Sequence, residues 1–130
     1  MKSILLIEDD PFLIDIYTTK FREAGFNVEV ATDGEQGLRK LADSGPEGKK
    51  FDLLVLDIVL PQIDGWEILE KIGNWKLEIG NLRDLKIVVL SNLGQKEDVE
   101  KAFNMGATKY LIKAHYTPTE VVEEIKQVLE

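Results

Sequence analysis

The sequence FDLLVLDIVLP, from Phe51 to Pro61, decides the fold of this chain. It is an almost unbroken apolar run of about strand length closed by a proline, which is typical of a strand covered on both faces inside a parallel sheet. Asp57 lies where the run ends, and open α/β sheets place their ligands at the carboxyl ends of central strands. We therefore predict that Asp57 is the reactive group of the protein.

Composition limits the class of protein. The 130 residues have the size of one domain, and the balance of 44% hydrophobic and 31% charged residues is that of a soluble globular chain. No apolar run approaches the roughly 18 residues that span a membrane, and the first residues do not resemble a signal peptide, so we expect a cytoplasmic protein without membrane contact. The chain has no cysteine and one histidine, which excludes thiol chemistry and disfavours zinc. Its net charge of −8 argues against direct binding of nucleic acid.

Strand-like and helix-like segments alternate along the whole chain, which predicts βα units wound into a parallel sheet. The predicted strands are Ile4–Ile7, Phe26–Ala31, the central run, Lys86–Ser91 and Tyr110–Lys113. The second of these alternates apolar with polar residues, which indicates one exposed face and a place near the sheet edge.

Several helix boundaries can be read directly. Asp10 followed by Pro11 predicts a capped helix start, and Gly25 is placed to end that helix. The sequence Thr117–Glu120 combines a capping box with a proline in the first turn. Gly37 weakens the predicted second helix by about 1 kcal/mol relative to alanine.

Two connections are less regular. Residues 43–50 are polar and contain glycine and proline, which predicts a surface loop. Residues 73–85 mix apolar residues with Gly80-Asn81, so here the third helix could continue, break, or give way to a packed loop.

Polar side chains follow four predicted strands: Glu8 and Asp9 after the first, Asp57 after the third, Ser91 after the fourth and Lys113 after the fifth. In a parallel sheet these ends share one edge. Phosphoryl transfer to a carboxylate needs little more than an acceptor oxygen, a divalent cation and one or two fixed donors. Three carboxylates suit Mg²⁺, a lysine can hold a phosphoryl oxygen and a serine hydroxyl can donate to another.

Each of these residues also has a simpler explanation when taken alone. Asp57 could cap a helix, Ser91 could be an ordinary polar residue at the surface, and Lys113 could be a surface lysine with a buried stem. Their joint placement at successive strand ends favours the functional interpretation, because chance does not readily supply all of it.

The same residues carry a family resemblance. The segments that match are Ile4–Pro11, Asp57–Gly65, Val88–Ser91 and Gly106–Lys113, and their order and spacing are highly specific. On these segments the chain resembles the receiver domain of bacterial two-component response regulators over essentially all of its length. The resemblance implies a CheY-like α/β fold: a doubly wound, five-stranded parallel sheet in the order 2-1-3-4-5 with helices on both faces.

The resemblance also implies roles for the residues at the site. Asp57 would accept a phosphoryl group from the phosphohistidine of a histidine kinase or histidine phosphotransfer protein, or from a small phosphodonor. Magnesium would be held by Glu8 and Asp9, with Asp9 the more direct ligand, and by Asp57 and the backbone carbonyl of Val59.

The remaining roles concern the switch. Lys113 matches the family's lysine, Ser91 its hydroxyl switch residue and Tyr110 its switch aromatic. Ser91 would move toward the phosphoryl group and vacate space for Tyr110. The change would reach the surface of the fourth helix, fifth strand and fifth helix, where an unknown downstream protein target would bind.

The implied protein is a single receiver domain over residues 1–130 with no output domain. It is not an enzyme beyond self-phosphorylation and autodephosphorylation at Asp57, and it is expected to be a monomer or a phosphorylation-linked dimer.

Two residues depart from the family pattern. Ala114 follows Lys113 where the family commonly has proline, often after a cis bond, and a cis bond before a non-proline residue costs roughly 2.5 to 4 kcal/mol. Asn92 follows Ser91 where the family often has a small residue. Its bulk is expected to restrict access to Asp57.

Three alternatives use similar parts. A phosphohydrolase of the haloacid dehalogenase type would have a second aspartate where this chain has Val59. A flavodoxin-like module would have a phosphate loop where this chain has Glu8-Asp9-Asp10, whose charges repel phosphate. The third alternative is a receiver-like interaction module that works without phosphorylation.

Overall fold

The computed structural model describes residues 1–43, 50–76 and 78–130. Most of the predicted surface loop over residues 43–50 therefore lies outside the described residues, as does Leu77. None of the helices within the described ranges is long and apolar enough to cross a membrane.

The sheet has five parallel strands in the order β2-β1-β3-β4-β5, as expected from the family resemblance. The strands are β1 Ser3–Ile7, β2 Asn27–Ala31, β3 Leu53–Leu56, β4 Lys86–Ser91 and β5 Lys109–Ile112. β3 is central and all four of its residues are buried, whereas β2 is an edge strand that pairs with β1 alone. The central place of β3 thus explains its unbroken apolar pattern, and the edge place of β2 explains its alternating pattern.

Five helices cover the two faces of the sheet. They are α1 Pro11–Glu23, α2 Gly34–Ala42, α3 Gly65–Trp75, α4 Lys96–Asn104 and α5 Pro118–Leu129. Apolar residues of α2, α3 and α4 pack in one buried layer, and those of α1 and α5 pack in a second layer on the other face. The structure is therefore the predicted doubly wound α/β fold.

The predicted helix boundaries are confirmed. The Asp10 carboxylate accepts a hydrogen bond of 2.9 Å from the backbone N–H of Phe12 at the start of α1. The Thr117 hydroxyl and the Glu120 carboxylate each accept a hydrogen bond from the other residue's backbone N–H at the start of α5. Gly25, just after α1, has a φ of 93°, which glycine adopts without steric cost.

Gly37 is explained by packing rather than by helix preference. A Cβ at this position would lie 2.3 Å from Cδ1 of Ile7 on β1. The absence of a side chain lets α2 approach the sheet closely, and this contact compensates for the weaker helix propensity of glycine.

The stretch that the sequence left open resolves into three parts. α3 continues to Trp75, a turn follows, and a short 3₁₀ turn spans Gly80–Leu82. Leu82 and Leu85 are buried in the layer formed with α2, α3 and α4, so the segment is a packed connection rather than a longer helix.

Several predicted strand ends differ by one residue from the observed ends, and one of them lies at the site. Lys113 was expected within the last strand, but β5 ends at Ile112 and Lys113 begins a 3₁₀ turn that runs to His115. The parallel ladder with β4 ends where Ser91 pairs with Ile112, so the next residue is free to turn. The peptide bond between Lys113 and Ala114 is trans, so the turn avoids the cost of a cis bond before a non-proline residue.

Candidate functional site at the carboxyl edge of the sheet

A cleft of about 390 Å³ opens at the carboxyl edge of the sheet. It is lined by Glu8, Asp9, Asp10, Leu13, Asp57, Val59, Ser91, Asn92 and Lys113. The structure therefore brings together six of the seven residues that the sequence assigned to the site. The seventh, Tyr110, does not line this cleft.

Asp57 is fixed by the backbone on both sides of it. Its N–H donates to the carbonyl of Ile7 at 3.2 Å, which extends the pairing of β3 with β1 by one residue. After it the chain turns sharply, and a Cβ on Gly65 would lie 2.6 Å from Cα of Ile58. Glycine at the start of α3 thus allows the helix to pack directly behind the aspartate.

The two carboxylate oxygens of Asp57 have different partners. Oδ1 accepts a hydrogen bond of 3.1 Å from the backbone N–H of Val59, and Oδ2 accepts one of 2.7 Å from Nζ of Lys113. The residue is 6% exposed, yet it lines the cleft. Each oxygen retains a lone pair that could bind a cation or attack an electrophile.

Lys113 bridges two acids. Its Nζ lies 2.6 Å from Oε1 of Glu8 and 2.7 Å from Oδ2 of Asp57, and the side chain is 11% exposed. Burial lowers the pKa of the Lys113 ammonium, but the hydrogen bonds to Asp57 and Glu8 outweigh burial and leave that pKa above its ordinary value. The group is therefore a permanent positive charge inside the cleft.

Glu8 is already occupied on both oxygens. While Oε1 contacts Lys113, Oε2 accepts backbone hydrogen bonds from Asp9 at 3.1 Å and from Asp10 at 3.2 Å. Burial raises the pKa of the Glu8 carboxyl, and the hydrogen bonds from Lys113 and Asp10 oppose that shift without cancelling it. The geometry makes Glu8 an anchor for Lys113 and for the loop after β1.

The acids form a group that fits a hard cation. Glu8, Asp9 and Asp57 each offer a carboxylate oxygen, and these oxygens lie within 4.8 Å of one another. Asp9 is exposed, and its carboxylate has no partner among the described residues, so it is the acid most available to a metal. An all-oxygen donor set of this kind suits Mg²⁺. The role of the Val59 carbonyl stays a prediction.

The side chains of Ser91 and Tyr110 both form a hydrogen bond with the backbone of Leu93. Ser91 ends β4 fully buried, and its hydroxyl accepts a hydrogen bond of 3.3 Å from the backbone N–H of Leu93. The Tyr110 hydroxyl donates to the carbonyl of Leu93. Burial, followed by the negative charges of Asp98 and Asp57, raises the pKa of Tyr110 to about 12, so the hydroxyl keeps its proton and remains a donor.

One contact at the site was missed by the sequence analysis. The side-chain oxygen Oδ1 of Asn92 accepts a hydrogen bond of 3.1 Å from the backbone N–H of Ala114. The sequence does show that the residue after Lys113 is not proline, so it has a backbone N–H that needs an acceptor. Nothing in the sequence pairs two residues this far apart along the chain.

Comparison with known proteins identifies a family. The family model described as the response regulator receiver domain matches residues 4–126. The chain is 34% identical over 127 residues to a probable transcriptional regulator, ycf29, from Porphyra purpurea, a match that covers 98% of this chain and 56% of that protein. It is 31% identical over 128 residues to the DNA-binding dual master transcriptional regulator RpaA from Synechocystis, covering 98% of this chain and 48% of that protein. The chain thus spans about half the length of these relatives.

Solved structures agree with the fold. A CheY-like response regulator receiver domain protein from Methanospirillum hungatei superimposes with a TM-score of 0.82 at 30% identity, and the match covers 99% of this chain and 94% of the other. The chemotaxis response regulator CheY4 of Vibrio cholerae superimposes with a TM-score of 0.84 at 22% identity, covering 99% of each chain. The second likeness supports the fold alone.

Proposed function

We propose, from the premise that this chain belongs to the response regulator receiver domain family, that Asp57 is its reversible phosphoryl acceptor. Receiver domains are signalling domains and not classical enzymes. Proteins of this family take part in phosphorylation-dependent two-component signalling. The observation that carries the proposal is the position of Lys113, whose Nζ lies 2.7 Å from Oδ2 of a buried aspartate at the mouth of an acidic cleft.

The proposed reaction is an exchange at phosphorus. An oxygen of the Asp57 carboxylate forms a new O–P bond as the P–N bond of a phosphohistidine breaks. The electron pair of that bond remains on the ring nitrogen, so a ring protonated on its other nitrogen leaves as neutral imidazole. With acetyl phosphate as donor, an O–P bond breaks instead and acetate leaves.

The protein's own groups favour this exchange by position and charge. The Lys113 ammonium, held at the cleft by Glu8, would pair with an oxygen of the incoming phosphoryl group. The Ser91 hydroxyl would turn from Leu93 to donate to another oxygen. Little else is needed, because phosphoryl transfer depends mainly on alignment and on neutralising charge.

The metal in this proposal is Mg²⁺. Glu8, Asp9 and Asp57, with the Val59 carbonyl, would hold it. Glu8 would also orient Lys113 and the loop after β1. Bound there, the ion would supply positive charge against the phosphoryl oxygens and against the repulsion among the acids.

The proposed output is a shift in surface structure. A phosphoryl group adds about 1.5 to 2 negative charges at Asp57. Ser91 and Tyr110 both contact Leu93, so a movement of Ser91 would reach the tyrosine through one residue. The surface of α4, β5 and α5 would then present a different arrangement to a protein target.

The proposed partners follow from this chemistry. A histidine kinase or a histidine phosphotransfer protein would supply the phosphoryl group. The relatives named above as transcriptional regulators are about twice as long as this chain, so DNA binding in those proteins is not assigned to this domain. The net charge of −8 supports a protein rather than a nucleic acid as its direct target.

The test is the intact mass of the protein after incubation with Mg²⁺ and acetyl phosphate. We expect the parent protein to gain one phosphoryl group and the Asp57→Asn variant to gain none. Omission of Mg²⁺ should abolish the gain in the parent. A parent protein that gains no phosphoryl group, from acetyl phosphate or from a histidine donor, would favour an interaction module that works without phosphorylation.

A further inference from the structure

We propose that Asn92 is a positioning residue for Lys113: its amide oxygen fastens the loop after β4 to the turn that carries the lysine. This inference rests on the proposed function, because it assigns the residue a part in phosphoryl transfer to Asp57. Asn92 lines the same cleft as Asp57 and Lys113, so an effect of its bulk must be separated from an effect of its hydrogen bond.

The hydrogen bond meets a need of the turn itself. Lys113–His115 forms a 3₁₀ turn, and the first N–H groups of any helical turn have no partner within it. The Ala114 N–H is such a group, and Oδ1 of Asn92 accepts from it at 3.1 Å. A proline at 114 would have no N–H to donate. Asn92 and Ala114, the two departures from the family pattern, therefore form one contact.

The loop after β4 is also in contact with the side chains of two residues of β5. The Tyr110 hydroxyl donates to the Leu93 carbonyl. The Ile112 side chain packs against Gly94, where a Cβ would lie 2.7 Å from Cδ1 of Ile112. The Tyr110 and Ile112 side chains, two residues apart, thus contact the loop from one face of β5, as expected for a strand. The Asn92 contact extends this attachment beyond the end of β5.

The position of the contact gives it a functional consequence. Ala114 is the residue next to Lys113, whose ammonium must reach both Glu8 and Asp57 from a long, rotatable stem. Asn92 is in turn the residue next to Ser91. A hydrogen bond between the two neighbours fixes the backbone of the lysine relative to that of the serine, the two donors assigned to the phosphoryl group.

Two interpretations of Asn92 predict opposite results. If the residue acts by bulk and restricts access, a smaller side chain should speed phosphoryl uptake. If it acts through the hydrogen bond, loss of the acceptor should slow uptake whatever the size of the side chain. Asn92→Leu keeps most of the bulk and removes the acceptor, and Asn92→Ala removes both.

The experiment measures the rate of phosphoryl uptake at Asp57 against acetyl phosphate concentration for the parent and both variants. We expect Asn92→Leu and Asn92→Ala each to lower the maximal rate about two- to tenfold, the equivalent of one neutral hydrogen bond. The donor concentration at half-maximal rate should change little. Amide hydrogen exchange at Ala114, measured without phosphodonor, should become faster in both variants. Circular dichroism and urea unfolding verify that each variant is folded.

A second background tests whether the effect passes through the lysine. In a Lys113→Ala protein, the residual uptake rate should be the same with Asn92 or with alanine at that position. Equal slowing by Asn92→Ala in both backgrounds would overturn the inference, as would a parent-like rate for Asn92→Leu or faster uptake by Asn92→Ala. A parent protein that takes up no phosphoryl group would instead contradict the proposed function, and parent-like exchange at Ala114 in Asn92→Leu would still refute the hydrogen bond.

Discussion

Leu54 and Asp57 belong to one short stretch of chain, but their surroundings are opposite. Leu54 is fully buried in the apolar layer that α2, α3 and α4 form with the sheet. Asp57 is also buried, yet its neighbours are a lysine, a glutamate and the polar wall of a cleft. The interior of the sheet is stabilised by apolar burial. Its carboxyl edge carries charged side chains, and a bound cation would reduce the repulsion among its acids.

Negative side chains outnumber positive ones at the carboxyl edge of the sheet. Four carboxylates, those of Glu8, Asp9, Asp10 and Asp57, line the cleft beside the ammonium of Lys113. Glu8 and Asp57 are buried and share the Lys113 ammonium, because burying charge is unfavourable unless it is paired. Asp9 and Asp10 are exposed and have no such share of the lysine. The interior therefore determines the fold, whereas the excess negative charge at the edge would favour a bound cation.

The largest effect should come from the interior. Leu54→Ala removes a fully buried side chain from the central strand, and we expect the free energy of unfolding to fall by about 2 to 5 kcal/mol. Urea unfolding followed by circular dichroism measures it. Phe12→Ala, at a side chain that is 73% exposed, is the control and should change stability by less than about 0.5 kcal/mol. A loss of similar size in both variants would contradict the contrast between interior and surface.

The next effect tests the edge. Lys113→Ala leaves Glu8 and Asp57 without their shared ammonium, and we expect a loss of about 3 kcal/mol, the lower end for an unpaired buried charge, because the cleft is open to water. Mg²⁺ should restore part of this loss but none of that in Leu54→Ala. Urea unfolding of both variants with and without Mg²⁺ measures the difference. If Mg²⁺ changed the free energy of unfolding of both variants equally, the stability of the carboxyl edge would not depend on a bound cation.

Gly37 packs against Ile7, the last residue of β1, and so lies between the interior of the sheet and its carboxyl edge. Alanine should favour the helix by about 1 kcal/mol, but here its Cβ would lie 2.3 Å from Cδ1 of Ile7, so we expect Gly37→Ala to lose about 1 to 3 kcal/mol of stability. Ile7→Val, which removes that Cδ1, should recover part of the loss in the double variant. Gly73→Ala is the matched control, because among the described residues no atom beyond its chain neighbours and the backbone of α3 lies within 4 Å of its Cβ position. Stabilisation by Gly37→Ala would refute the close contact.

The smallest effect belongs to a charge outside both regions. At the start of α5, hydrogen bonds from the backbone and then the side chain of Thr117 hold the pKa of Glu120 below its ordinary value of 4.5. A lowered folded-state pKa adds stability above 4.5, and that stability is lost as the pH falls through the folded value. Glu120→Gln should therefore be slightly less stable than the parent at neutral pH and equal to it in acid. Urea midpoints at the two pH values test this, and a difference that persists in acid would count against it.

The sequence was informative where the physics is local. The apolar run before Asp57, the capping box at Thr117 and the proline after Asp10 depend on neighbours along the chain, and each predicted its element correctly. The site residues could be brought to one edge because parallel strands share their carboxyl ends.

Contacts between distant residues could not be predicted in the same way. The reason for Gly37 lies in Ile7 on another element, and the bond from Ala114 to Asn92 joins two loops. The occupation of both Glu8 oxygens, which leaves Asp9 as the acid most available to a metal, depends on how the loop after β1 closes on itself. Such contacts follow from the fold and have no signature in local sequence.

The most direct test of this account locates the phosphoryl group. After incubation with Mg²⁺ and acetyl phosphate, borohydride reduction marks the modified carboxylate, and peptide mass spectrometry identifies it. We expect the mark on Asp57 alone in the folded protein and no mark in protein held unfolded in urea, because Glu8, Asp9, Ser91 and Lys113 meet Asp57 only across the folded sheet. A mark on Glu8 or Asp9, or equal labelling of the unfolded chain, would contradict it.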